Sequence, residues 1–151
     1  MPFLDGTVAD AITLRYAFCP LTFHYGAWIM TKMIPYMEDL CYVDSKQCGR
    51  YLEYIGLAFD QQDWVITATN TSYNELIVKW TQVVAENMTL DVTELRKLYD
   101  YASDMHNSEM RTRYMWKYTA ARSVGGTPSA FVNGVKLQNI PANADQWKQL
   151  V

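Results

Sequence analysis

The sequence GTPSAFVNGV, residues 126–135, contains the clearest structural signal in this 151-residue chain. Asn133-Gly134 is the dipeptide that most strongly favours a two-residue type I′ turn between antiparallel strands. The flanking segments 129–132 and 135–138 have the composition of short strands. The motif therefore predicts a β-hairpin directly after the Thr127-Pro128 bond, and a final helix is expected over residues 144–150.

The chain upstream of the hairpin has the apolar spacing of several helices. Ser72-x-x-Glu75 and Asp91-x-x-Glu94 are capping-box patterns that each predict a helix start. The expected helices are 23–38, where Pro35 is predicted to kink or end the helix, then 50–64, and further ones that begin after Ser72, Asp91 and Asn107. Residues 11–18 favour a strand.

Apolar stripes on these helices are interpreted as core-facing. The stripe of the second helix comprises Tyr51, Leu52, Ile55 and Phe59. The stripe of the third comprises Leu76, Ile77, Trp80, Val83 and Val84. The stripe of the fifth comprises Met110, Tyr114, Met115 and Tyr118.

The composition excludes several classes of protein. Half of the residues are apolar, and 13 Lys+Arg stand against 16 Asp+Glu, for a net charge of −3. A disordered chain is therefore not expected, nor is a nucleic acid or an anionic membrane surface as the main partner. No apolar run is long enough to span a membrane. The opening residues lack the features of a signal peptide.

Three cysteines are present, without a C-x-x-C motif or a zinc-ligand pattern. Cys41 and Cys48 lie seven positions apart, and two alternatives remain open: a disulfide between them, or two unrelated thiols. Asn70 and Asn87 begin N-glycosylation sequons, which tilts the expectation slightly towards the secretory pathway or the extracellular space. His24 and His106 are interpreted as surface or capped histidines, and no metal site is expected.

Residues 126–135 resemble the cis-proline loop and hairpin of DsbA-like thioredoxin-fold proteins. The resemblance implies an α/β fold in one domain, residues 1–151, with a thioredoxin-like sheet, a mainly helical insertion over 22–123, and the hairpin and terminal helix over 127–151. It also implies a cis Thr127-Pro128 bond, a groove for protein or peptide substrates shaped by Thr127, Pro128 and Ser129, and no organic cofactor.

The family's C-x-x-C is missing, which leaves two alignments of the chain with the family. In one, Cys19-Pro20 is the active-site turn, 11–18 is the central strand, 40–43 supplies the next strand, and a helix from Leu21 onward activates the Cys19 thiol. In the favoured one, 11–18 follows an active-site helix whose strand lies outside this sequence. The open position in the sheet then predicts a dimer or a complex.

Function is accordingly expected to be that of a redox-silent structural or peptide-binding domain. The alternative is a thiol–disulfide oxidoreductase, which would act through Cys19 alone or through a dithiol on an N-terminal segment outside this sequence. Whether the chain is an enzyme stays open.

Overall fold

The computed structural model describes residues 13–150, and this part of the chain is mostly helical. The elements in chain order are α1 (Ala27–Thr31), α2 (Ile34–Val43), a 3₁₀ turn (Ser45–Gln47), α3 (Cys48–Thr67), α4 (Tyr73–Met88), α5 (Val92–Lys97), α6 (Ser108–Ala121), β1 (Phe131–Val132), β2 (Val135–Lys136) and α7 (Ala144–Lys148).

The prediction of an α/β fold with a thioredoxin-like sheet is wrong. Within residues 13–150 the only sheet is the antiparallel pair β1–β2. Residues 13–18 of the expected strand have no regular secondary structure, residues 11–12 lie outside the described part, and the expected strand 40–43 belongs to α2. An extended segment satisfies its backbone groups in a ladder only beside another strand, and here helices fill the core instead.

The core is built by α1 to α5. Its fully buried large side chains include Tyr54 of α3 and Trp80 of α4, whose rings pack edge to face with centroids 6.1 Å apart. Trp80 Nε1 donates to Tyr54 Oη at 3.2 Å, and Tyr54 Oη donates in turn to the carbonyl of Met30 in α1. The polar atoms of both side chains are thus hydrogen-bonded inside the core, and these bonds link α1, α3 and α4.

Two of the predicted core-facing stripes are only partly correct: Tyr51, Ile55 and Met115 pack against the core, but other members of these stripes are exposed. In α3, Leu52 and Phe59 are 52% and 63% exposed, whereas Tyr54 is completely buried. In α6, Tyr114 and Tyr118 are 59% and 50% exposed, and its buried residues are Ser108, Thr112 and Thr119. The stripe of α4 is confirmed for Leu76, Trp80 and Val84, which are all fully buried. When a helix has apolar residues on several sides, its sequence does not show which side is buried. The packing of neighbouring helices determines the buried side.

The predicted helix starts at Ser72 and Asp91 are confirmed, because both side chains accept from backbone N–H groups of the first turn. The Ser72 hydroxyl accepts from the Glu75 N–H, and the Glu75 carboxylate accepts from the Ser72 N–H at 3.0 Å, which confirms the capping box of α4. Pro35 lies in the first turn of α2, and it has no N–H to donate to the carbonyl of Thr31, where α1 ends, so the helix is interrupted before Pro35 as predicted. The expected long first helix is therefore divided into α1 and α2.

The hairpin has the predicted turn. Val132 pairs with Val135 across Asn133 and Gly134, whose φ angles of 49° and 85° are those of a type I′ turn. The Leu137 N–H donates to the Ala130 carbonyl at 2.9 Å and extends the ladder by one pair.

Candidate functional site

Cys19 is a free, partly exposed thiol. The expectation of a helix directly behind it is wrong, because residues 21–26 form turns and α1 begins only at Ala27. A helix N-terminus is one of the groups that activate a thiolate, and Cys19 lacks it. Within residues 13–150, no group of three or more His, Cys, Asp or Glu side chains is arranged to hold a metal ion.

The Thr127-Pro128 bond is cis, as expected, and both residues are exposed. The Ser129 hydroxyl donates to the Gly126 carbonyl at 2.7 Å, which closes the loop ahead of β1. The predicted substrate-binding residues Thr127, Pro128 and Ser129 therefore lie together on the surface, at the entry to the hairpin.

In the part of the chain that the structure describes, one edge of β1 has no neighbouring strand. Since Ala130 and Leu137 form a hydrogen-bonded pair, the alternation of an antiparallel ladder makes Phe131 and Lys136 a non-hydrogen-bonded pair. The N–H and C=O of Phe131 then point away from β2, and Ser129 falls on the same edge. Among the described residues, no backbone or side-chain group bonds to the main chain of Phe131 at this edge.

The hairpin is held to the end of α6 by two cations. Lys136 Nζ donates to the Ser123 carbonyl at 2.9 Å. The Arg122 guanidinium lies 4.5 Å from the centre of the Tyr118 ring and 6.0 Å from that of Phe131. These contacts fix where the open edge of β1 sits relative to the helices.

Cys41 and Cys48 are at disulfide-bonding distance, with their Cα atoms 4.2 Å apart. The pair links the last turn of α2 to the first residue of α3. A shallow depression of about 480 Å³ surrounds it, lined among others by Tyr42, Tyr51 and Leu52. Burial, with the nearby Glu38 carboxylate adding to it, raises the pKa of Tyr51 to about 12.

A second depression, which we call the aromatic groove, lies between residues 20–28 and the exposed side of α6. Its volume is about 500 Å³, and four aromatic side chains line it: Tyr25, Trp28, Tyr73 and Trp116. Volumes of this order are typical of ligand-binding clefts. Burial, assisted by the neighbouring Glu109 carboxylate, raises the pKa of Tyr73.

Glu109 is the acidic residue of the aromatic groove. Its carboxylate accepts from Trp28 Nε1 at 3.1 Å and from Arg113 Nε at 2.7 Å, and it forms an ion pair with Lys32 Nζ at 3.2 Å. Partial burial alone would raise the pKa of Glu109, but these hydrogen bonds and the Lys32 charge outweigh it and lower the pKa.

His106 belongs to an ion cluster between α2 and α6. Its Nδ1 lies 2.7 Å from Asp39 Oδ2, and Arg111 binds both Asp39 and Glu38 at 2.8 Å. The Glu38 and Asp39 carboxylates are therefore only partly exposed, and they anchor α6. Tyr36 packs edge to face on the His106 ring. We therefore interpret the cluster as structural: its contacts attach α6 to α2.

The two sequons are both exposed, in different surroundings. Asn70 lies in the turn before α4. Asn87 lies in the last turn of α4, where its Nδ2 donates to the Val83 carbonyl at 2.8 Å.

The sequence did not reveal the aromatic groove, because its walls come from three distant segments.

Comparison with family models, curated proteins and solved structures finds no match to this chain. The DsbA-like resemblance thus rests on the residues quoted above alone. No helix within residues 13–150 has the length and apolar character needed to cross a membrane.

Proposed function

We propose that this chain is a redox-silent protein- or peptide-binding domain, and that the open edge of β1 is its binding site. The single observation that carries the proposal is that, within residues 13–150, nothing bonds to the outward-facing main chain of Phe131, beside Ser129. An extended peptide can add to such an edge as a third strand, with main-chain hydrogen bonds supplying affinity. A two-stranded hairpin is also only marginally stable by itself, so a third strand would stabilise it.

The cysteines support the redox-silent part of the proposal. The sequence has no C-x-x-C, and Cys41 and Cys48 are paired with each other. Cys19 has no helix N-terminus directly behind it, a group that commonly activates a reactive thiol.

Amide hydrogen exchange measured by NMR tests the binding site. The probe is a capped peptide, Ac-Lys-Thr-Val-Thr-Val-Thr-Lys-NH₂, which favours an extended conformation. We expect its addition to slow exchange at the Phe131 amide. Ser129→Pro removes one edge N–H and should weaken binding about tenfold, whereas Ser129→Ala keeps that N–H and should bind like the parent chain. Unchanged exchange at Phe131 with saturating peptide contradicts the proposal.

A glutathione-coupled assay tests the redox part. The full chain should not accelerate reduction of a disulfide-containing model peptide above the uncatalysed rate, with or without Cys19→Ser. Activity that disappears in Cys19→Ser would instead establish the one-cysteine oxidoreductase.

A further inference from the structure

We propose that the aromatic groove is a second recognition site, which takes an acidic segment of a partner protein with a carboxylate next to an aromatic side chain. The groove is separate from the β1 edge: it is built by residues 20–28, the start of α4, and α6. Three properties carry the inference, namely fixed walls, an unused positive charge, and a rim open to solvent.

The walls are held in place before any ligand arrives. Tyr25 Oη donates to the Thr71 carbonyl at 2.8 Å, and Trp28 Nε1 donates to Glu109. Gly26, between these two aromatic residues, has a φ of 81° and packs directly on Val65. A groove with preset aromatic walls loses little conformational entropy when a flat apolar group enters it.

The charge available to a ligand is positive. Glu109 is already saturated by Lys32, Arg113 and Trp28, so it has little capacity left for a cationic ligand. Lys117 is exposed and has no partner among the described residues, and Arg113 uses only its Nε, which leaves both terminal nitrogens available. The groove therefore offers cationic donors within a chain of net charge −3.

The cationic donors of the groove determine which chemical groups of a ligand can bind there. A guanidinium with free terminal nitrogens and an ammonium are the groups that bind carboxylates in proteins. Tyrosine and tryptophan rings prefer offset or edge-to-face contact with another aromatic ring. Two available cations are too few to follow a nucleic-acid backbone, whose affinity comes from many phosphate contacts.

The rim favours a peptide over an enclosed small molecule. Thr22, His24, Arg113 and Lys117 line the groove and are exposed, so a chain can enter and leave on either side of the bound side chains. An acidic residue beside an aromatic residue can thus occupy the groove while the rest of the segment stays in solvent.

Fluorescence anisotropy with the full chain tests the proposal. The probe is fluorescein-labelled Gly-Phe-Glu-Phe-Asp-Gly, and its counterpart carries Lys at both acidic positions. We expect Lys117→Glu to weaken probe binding at least about tenfold, because it places like charges together. The matched control is Lys46→Glu, the same charge change at an exposed site between α2 and α3, which should leave the affinity unchanged.

Two comparisons distinguish peptide binding in the aromatic groove from binding at the β1 edge and from nucleic-acid binding. Ser129→Pro should leave probe binding intact, so the groove proposal stands or falls independently of the strand-addition proposal. No binding of the acidic probe, equal binding of the lysine peptide, or equal losses in the Lys117→Glu and Lys46→Glu variants would overturn the proposal. Tighter binding of a ten-nucleotide oligothymidylate than of the acidic probe would also overturn it.

Discussion

Gly26 shows how one residue without a side chain shapes the aromatic groove. Its φ of 81° is strained for other residues, and a Cβ here would lie 2.6 Å from Val65 Cγ1 and 3.0 Å from Leu76 Cδ2. Both neighbours are fully buried, and the Cβ would also lie 3.0 Å from the Val65 carbonyl oxygen. Gly26→Ala should therefore lower the free energy of unfolding by about 2–4 kcal/mol, measured in urea.

The matched control for this substitution is Gly56→Ala in α3. Gly56 is helical, and a Cβ there meets nothing within 4 Å. Alanine should thus raise the stability by about 0.5–1 kcal/mol. If Gly26→Ala were as stable as the parent chain, the close packing of the Gly26 turn on Val65 would be wrong.

Glu109 makes stability depend on pH. Its pKa in the folded chain is lowered from the ordinary 4.5, so its stabilising effect is present above that value and is lost as the pH falls through the folded pKa. Urea unfolding should show the parent chain losing more stability than Glu109→Gln between pH 5 and pH 3. The variant should already be less stable at pH 7, because Lys32 is largely buried and loses its ionic partner. Parallel pH profiles would count against this role.

At the scale of elements, the Cys41–Cys48 pair governs the joint between α2 and α3. A cross-link that closes a loop of this length is worth roughly 2–3 kcal/mol, because it restricts the unfolded chain. The double variant Cys41→Ser, Cys48→Ser should lose about that much stability in urea. The parent chain in reductant should match it, whereas Cys19→Ser should be near neutral. Insensitivity of the parent chain to reductant would argue against the cross-link.

Elements whose signal is local were predictable from the sequence. The Ser72 capping box and the Asn133-Gly134 turn each depend on a few adjacent residues, and both form as expected. For Asn107 only the position is confirmed: α6 begins directly after it, but its side chain makes no cap bond, and the Asp104 carboxylate accepts from the Ser108 N–H at 2.6 Å instead. Each of these two residues can cap a helix, and the path of the preceding loop decides between them.

Features that depend on long-range packing were not predictable. Residues 13–18 have strand-like composition, but no strand lies beside them in the described part of the chain. The walls of the aromatic groove, among them Trp28, Tyr73 and Trp116, are far apart in the sequence, and only the packing of helices brings them together. The Asp39–His106 pair spans 67 positions for the same reason. Residue composition carries no information about such distances.

Across the whole molecule, burial is unevenly distributed. Within the described residues, the buried hydrophobic core lies between Ile29 and Leu98: it comes from α1 to α5, from Met33 between α1 and α2, and from Leu98 directly after α5. Residues 122–150 contribute no fully buried side chain, and the hairpin contacts α6 mainly through Arg122 and Lys136. The part of the chain that we propose to bind a peptide is thus attached to a helical core without being part of it. Binding segments are often drawn from the less stable parts of a fold.

The difference in burial between the helical core and the hairpin predicts two levels of local stability. Amides of α4 around Trp80 should exchange only through global unfolding, since their helix carries much of the core. Amides of β1 and β2 should exchange through local opening, with a free energy several kcal/mol lower. Native-state hydrogen exchange in low urea measures both. Equal free energies of opening at Val132 and Trp80 would mean that the hairpin unfolds only together with the core. A third strand at the edge of β1 would then add little to the stability of the hairpin.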